Sequence, residues 1–247
     1  MIRTPRLAGS RGLPRHCVLP AVVKARRVAC FFARLRLVLQ RVFHFFDPVD
    51  VVKSSATSVI PANPIGLVIG TGADTITGFE NFEGGNNKDI VFGNAVANVL
   101  NGNVGADNLW GLGGNDTLDG GADNDCLGGG AGIDTLTGGA GNDTFFYFLT
   151  TDSGTTALTR DTITDFQDTL DLINLKGIET NSNVTFTFLL GNNAAFTGHA
   201  GDLRVQTNIA GGDLIQGDTN GDKVADFSIF IKDVTHAITF TAADFVL

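Results

Sequence analysis

Residues 111–145 read GLGGNDTLDGGADNDCLGGGAGIDTLTGGAGNDTF. A glycine, an aspartate and a bulky apolar residue return in the same order every nine residues. Extending that frame gives seven nonapeptides without a gap over 84–146: GGNNKDIVF, GNAVANVLN, GNVGADNLW, GLGGNDTLD, GGADNDCLG, GGAGIDTLT and GGAGNDTFF. Position 1 is glycine in every one. Position 6 is Asp89, Asn98, Asp107, Asp116, Asp125, Asp134 and Asp143, and position 8 is Val91, Leu100, Leu109, Leu118, Leu127, Leu136 and Phe145. An earlier unit, IGTGADTIT at Ile69–Thr77, carries Asp74 at its sixth place and is set apart by GFENFE. Three columns that stay in phase over this length point to a solenoid.

The first six residues of each repeat form a turn, in which glycine permits close approach of backbones. The last three form a short strand whose middle side chain points inward while its neighbours point out. One such strand buries nothing alone, but stacked coils bury a narrow apolar column. With two nonapeptides per coil, strands fall on two opposed sheets. Asp89, Asp107, Asp125 and Asp143 then share one edge, and Asn98, Asp116 and Asp134 the other. Stacked strands lie about 4.8 Å apart, so these carboxylates repel unless cations sit between them. Ca²⁺ accepts six to eight oxygens, backbone carbonyls included; Mg²⁺ demands stricter geometry. Zinc would want His or Cys, which the turns lack apart from Cys126.

The expected ion pairs are Asp89/Asp107, Asp107/Asp125, Asp125/Asp143 and Asp116/Asp134, with Asn98/Asp116 weaker, for about four or five ions. The expected ligand set is Asp74, Gly84, Gly85, Asp89, Asn98, Gly102, Gly105, Asp107, Gly111, Gly114, Asp116, Gly120, Gly121, Asp123, Asp125, Gly129, Gly130, Gly132, Asp134, Gly138, Gly139, Gly141 and Asp143. Asp123 stands where its repeat calls for glycine, and either strains the turn or adds a ligand. Without metal the repeats hold too little apolar surface to offset chain entropy, so binding and folding are expected as one event.

Beyond Tyr147 the pattern changes to alternating stretches such as VTFTFLL, DLRVQT, FSIFIKDV and AITFTAADFVL, separated by turn residues. These read as antiparallel strands, in a sandwich or a sheet packed on the solenoid. DTITDFQDTLDLINL is strand-like too, and its Asp161, Asp165, Asp168 and Asp171 are expected on a solvated face.

The repeats resemble the G-G-x-G-x-D-x-U-x motif of RTX (repeat-in-toxin) proteins. Together with GGAGNDTFFYFLTTDS, RDTITDFQDTLDLINL, LIQGDTNGDKVADFSIFI and the ending FTAADFVL, they are similar to the C-terminal domain of serralysin-type metalloproteases over about residues 65–247. The resemblance implies an all-β fold, a parallel β-roll with calcium in its turns followed by an antiparallel, sandwich-like part. It also implies a secreted, extracellular protein exported by a type I secretion system that reads an uncleaved C-terminal signal, here ending Asp244-Phe245-Val246-Leu247. Folding would follow on meeting calcium outside the cell. The zinc motif H-E-x-x-H of the proteases is absent: the histidines are His16, His44, His199 and His236. A non-catalytic calcium module is therefore expected, and a monomer. The alternatives are a C-terminal fragment of a zinc metalloprotease and a membrane-acting RTX protein.

Charge divides the chain. Residues 1–46 hold ten Lys and Arg and no acid, whereas the remainder holds seven against all 26 acidic residues. That acidic excess argues against nucleic acid as a partner and calls for cations. The basic segment fits either an amphipathic helix at a membrane surface or an extension outside the fold, and 47–64 reads as a linker. The division expected is thus 1–46, 47–64, a roll over 65–147 and a β part over 148–247. Three cysteines, Cys17, Cys30 and Cys126, suggest no disulfide framework. DTNGDKVADF spaces Asp218, Asn220, Asp222 and Asp226 like an EF-hand loop but lacks its glycine and final glutamate, which favours a hairpin turn. His199 is expected at the surface, and Trp110, at position 9, outward and partly exposed.

Overall fold

The computed structural model describes residues 67–68, 75–77, 81–190, 193–233 and 238–247. Residues 1–46, the linker, Asp74 and His236 lie outside them. Each repeat contributes one short strand, and successive strands alternate between two sheets. One holds β1 (Leu67–Val68), β3 (Asn81–Glu83), β5 (Val99–Asn101), β7 (Thr117–Ala122) and β9 (Thr135–Ala140). The other holds β2 (Thr75–Thr77), β4 (Ile90–Phe92), β6 (Asn108–Gly113), β8 (Cys126–Ala131) and β10 (Thr144–Phe146). All these neighbours pair in parallel, Leu100 beside Leu118 beside Leu136 on one sheet and Val91 beside Leu109 beside Leu127 on the other. Two nonapeptides therefore complete one coil, as the two-edge reading requires.

The interior is the position-8 column. Val91, Leu100, Leu109, Leu118, Leu127, Leu136 and Phe145 are all 0% exposed. Each such fully buried side chain contributes about 1.5–3 kcal/mol. The column runs past the repeats: β11 (Asp161–Ile163) pairs with β9 and sets Ile163 beside Leu136, while β12 (Leu172–Asn174) pairs with β10 and sets Ile173 beside Phe145. A short helix α1 (Lys176–Ser182) follows, ended by Asn183 in the left-handed conformation.

The C-terminal strands are β13 (Thr187–Phe188), β14 (Asp202–Ile209), β15 (Gly212–Asp218) and β16 (Phe227–Lys232). β14–β15 and β15–β16 are antiparallel, and β16 pairs in parallel with β11. The antiparallel part thus continues one sheet of the roll, giving ten strands among the described residues. The other sheet is closed by β17 (Phe245–Val246) against β12. Asp244 secures that ending: its Oδ2 accepts the Thr241 N–H at 2.6 Å, and the Thr241 hydroxyl oxygen accepts the Ala243 N–H at 3.2 Å.

Candidate metal centre

The turns bring the sixth-position residues into two stacked columns. In the first, the Asp89 N–H donates to Asp107 Oδ1 (2.6 Å), the Asp107 N–H to Asp125 Oδ1 (2.7 Å) and the Asp125 N–H to Asp143 Oδ1 (2.8 Å). In the second, the Asn98 N–H donates to Asp116 Oδ1 (2.7 Å) and the Asp116 N–H to Asp134 Oδ1 (2.8 Å). One carboxylate oxygen is thereby spent on holding coil to coil. The other is not. Oδ2 of Asp107, Asp116, Asp125, Asp134 and Asp143 is buried without a hydrogen-bond partner. An uncompensated buried carboxylate costs several kcal/mol, so five in two columns need a counter-charge.

The first glycine of each repeat shows where a counter-charge fits. A Cβ built on Gly120 would lie 2.5 Å from Asp125 Oδ2 and 2.6 Å from the Gly138 carbonyl oxygen. On Gly102 it would meet Asp107 Oδ2 and the Gly120 carbonyl; on Gly111, Asp116 Oδ2 and the Gly129 carbonyl. Gly84, Gly129 and Gly138 likewise face the Oδ2 of Asp89, Asp134 and Asp143. Asn98 Oδ1 stands in the same place for Gly93, and it accepts the Asn94 N–H at 2.9 Å. Only glycine leaves these recesses open, and oxygens of two successive coils line them. An all-oxygen, partly anionic lining suits a hard cation such as Ca²⁺. Among the described residues no three His, Cys, Asp or Glu side chains converge on a metal-sized site; these recesses combine carboxylates with backbone carbonyls instead.

Burial is the largest influence on the carboxylates of Asp107, Asp116, Asp125, Asp134 and Asp143. It pushes Asp107 up to about 7, Asp125 to about 8, Asp134 to about 7, and Asp116 and Asp143 to about 6, against the backbone N–H each accepts. Neighbouring column acids add to the rise at Asp107, Asp125 and Asp134. Lys88 partly answers this charge at one edge, with its Nζ donating to the Ala106 carbonyl (2.6 Å) and Asn108 Oδ1 (3.1 Å).

The remaining expected ligands fall into three groups. Gly121, Gly130 and Gly139 at position 2, and Gly105, Gly114, Gly132 and Gly141 at position 4, sit against the carbonyl oxygen of the same position one coil back. The Gly85 N–H donates to Asp89 Oδ2 at 3.3 Å. Asp123 is exposed with φ of 79°, so the backbone at this non-glycine is left-handed. In the DTNGDKVADF loop, Asp218 accepts the N–H groups of Asn220, Gly221 and Lys223, Asp222 that of Val224, and Asp226 that of Thr219. These carboxylates serve their own turn, and Lys223 takes φ of 71° where an EF-hand has glycine.

Two acids expected on a solvated face extend the columns instead. Asp161 and Asp171 are 0% and 1% exposed. The Asp134 N–H donates to Asp161 Oδ1 (2.8 Å) and the Asp143 N–H to Asp171 Oδ1 (2.9 Å), the same bond as within the repeats. Burial pushes Asp161 up to about 9 and Asp171 to about 7. Their signal was present locally: DTIT at 161–164 repeats the DTLT of 134–137. Spacings of 27 and 28 residues in place of 18 hid it.

Trp110 also departs from expectation, being 6% exposed. It packs outside the sheet against Phe146 (centroids 5.4 Å apart) and Phe148 (5.9 Å), above Gly128, its neighbour on the next coil. Cys126, in the same cluster, is buried. His199 is exposed, as expected.

Fold and columns together define a calcium-binding repeat domain of the β-roll class. The family model described as peptidase M10 serralysin C terminal matches residues 54–247, and the chain belongs to that family. Among solved structures, the AlgE6R3 subunit of the mannuronan C5-epimerase of Azotobacter vinelandii is similar, with 31% identity over 65% of this chain and 78% of that one and a TM-score of 0.32. The AlgE6R2 subunit of that epimerase is 26% identical over 74% and 92%, with a TM-score of 0.35. No curated protein compared matches the chain.

Proposed function

We propose that this chain is a secreted calcium-dependent folding module: a roll over 65–147 and a β part over 148–247, preceded by the extension 1–46 and linker 47–64. Four or five Ca²⁺ ions occupy the glycine recesses between Asp89/Asp107, Asp107/Asp125, Asp125/Asp143, Asp116/Asp134 and, more weakly, Asn98/Asp116. The carrying observation is the set of buried Oδ2 atoms without partners. Bound calcium supplies the positive charge that lets these carboxylates stack. The chain's own part is to hold them: N–H groups fix one oxygen, and glycines keep the recess open. The module acts as a monomer without catalysis of its own, and leaves the cell by a type I route that reads its C-terminus. Low cytosolic calcium keeps it unfolded for export.

Circular dichroism of the full chain tests the reading. A steep gain of β signal with Ca²⁺, absent with Mg²⁺, is expected; a spectrum already folded in chelator at neutral pH would overturn it. The family match to a peptidase C terminus favours a second reading, in which the module serves a zinc metalloprotease. A neighbouring reading frame encoding H-E-x-x-H, whose product binds this chain, would support that role.

A further inference from the structure

The two sheets of the roll differ on their outer faces. On the first, the outward row at position 7 runs Asn81, Val99, Thr117 and Thr135, and all four are exposed. On the second, the same row runs Ile90, Asn108, Cys126, Thr144 and Leu172, and all but Ile90 are buried. Val99 is 51% exposed where Cys126 is 0%. Position 9 repeats the contrast: Asn101, Asp119 and Thr137 are half-buried on the first sheet, while Trp110 and Phe146 are buried on the second. The strands are built alike on both sides, so the difference lies in what covers the side chains. Outward positions become this dry beneath a second layer. The partly buried apolar side chains packed on the cluster are Phe92 and Phe148, one from the sheet itself and one two residues past its strand β10. Two rings at the border do not make a layer.

Residues 1–46, outside the described part, hold a segment that fits this face. Val28, Phe32, Leu35, Leu39, Val42 and Phe46 recur at spacings of four and three, which is the pattern of one helix face. Arg27, Arg34 and Arg41 each stand one residue before a member of that row. From 28 to 46 a helix runs about 27 Å. The seven strands of the second sheet among the described residues span about 29 Å at the usual strand spacing. Charge agrees as well: residues 1–46 carry ten Lys and Arg and no acid, and the remainder carries 26 acids against seven basic residues, so the two parts attract. Residues 47–66 reach up to about 66 Å when extended, which puts the whole sheet within range.

We propose that residues 28–46 lie across the outer face of the second sheet, with the row from Val28 to Phe46 against Trp110, Cys126 and Phe146. The basic segment is then the missing outer layer of the roll. This does not depend on which ion fills the turns.

Trp110 is the only tryptophan in the chain, so its quenching by acrylamide reports the cover directly. The test uses the full chain in calcium, with the β signal checked by circular dichroism. Leu35→Asp combined with Leu39→Asp puts charge on the apolar row. This double variant is expected to raise the quenching of Trp110 several-fold and to move its emission to longer wavelength. Leu37→Asp, on the opposite side of the helix, is expected to leave both as in the wild type. Equal quenching in the wild type and the double variant overturns the proposal. Should the double variant not fold, hydrogen exchange of the wild type decides. Slow exchange of the 28–46 amides is expected, and exchange at the free-chain rate overturns the packing. Slow exchange only with anionic phospholipid vesicles overturns it in favour of a membrane surface. Quenching that rises on dilution overturns it in favour of a second copy of the chain.

Discussion

Position 2 of the repeat shows how one residue's backbone decides a turn. Gly121, Gly130 and Gly139 stand there at φ of 100°, 92° and 95°, and Leu112 stands there at 78°. The left-handed conformation costs an L-residue about 1–2 kcal/mol. Leu112 is also 45% exposed, so its side chain returns little. Leu112→Gly is therefore expected to stabilise the calcium-loaded chain by about 1 kcal/mol, read as a rise in Tm. A lower Tm would mean that the leucine packs against something its exposure does not show. Trp110 teaches the complementary lesson. Position 9 of alternate repeats reads Phe92, Trp110, Gly128 and Phe146, one row on one sheet, and the glycine gives the indole room to lie down. The row was legible in the sequence; the covering of its outer face by Phe148, beyond the repeats, was not.

At the scale of the coil, each recess is shared between two turns, so its two halves fail together. A methyl group on Gly120 would occupy the space bordered by Asp125 Oδ2 and the Gly138 carbonyl. Gly120→Ala is accordingly expected to remove one ion and to lower the Tm in calcium, as measured by dialysis and thermal melts. A lowered Tm with an unchanged ion count would assign the glycine to packing alone. Asp125 lies between Asp107 and Asp143 in its column and borders two recesses, whereas Asp89 begins the column among the described residues. Asp125→Asn is expected to weaken two ions and Asp89→Asn one; equal losses would contradict the stacking.

Over the whole molecule, acid and calcium compete for the same oxygens. Unfolded aspartates ionise near about 3.9. The buried column members hold their protons up to about 6 at Asp116 and about 9 at Asp161. Between those limits the unfolded chain has released protons that the ion-free fold retains. Stability of the ion-free fold is thus greatest below the unfolded value and falls as pH rises through the window. With calcium the direction reverses, because binding needs the carboxylates ionised and expels their protons. In chelator, more β signal is expected at about pH 5 than at about pH 8. In calcium the order should invert, with proton release visible in titrations run in buffers of different ionisation heat. The same sign of pH dependence in both conditions would sink the carboxylate account.

The nonapeptide period, its inward apolar column and the two acidic edges follow from sequence alone, because a repeat of nine residues with two strands per coil has one register that buries position 8. The chain past Tyr147 is different. Loops of unequal length lie between Asp143 and Asp171 and between Asp134 and Asp161, and no fixed period survives them. Only the fold shows that these acids rejoin the columns, that β16 continues one sheet while β17 closes the other, and that the first column ends on the Gln167 N–H while the Asp161 N–H of the second turns to Ser153. Local chemistry repeats with the sequence; which distant residue caps a stack depends on where the intervening chain returns.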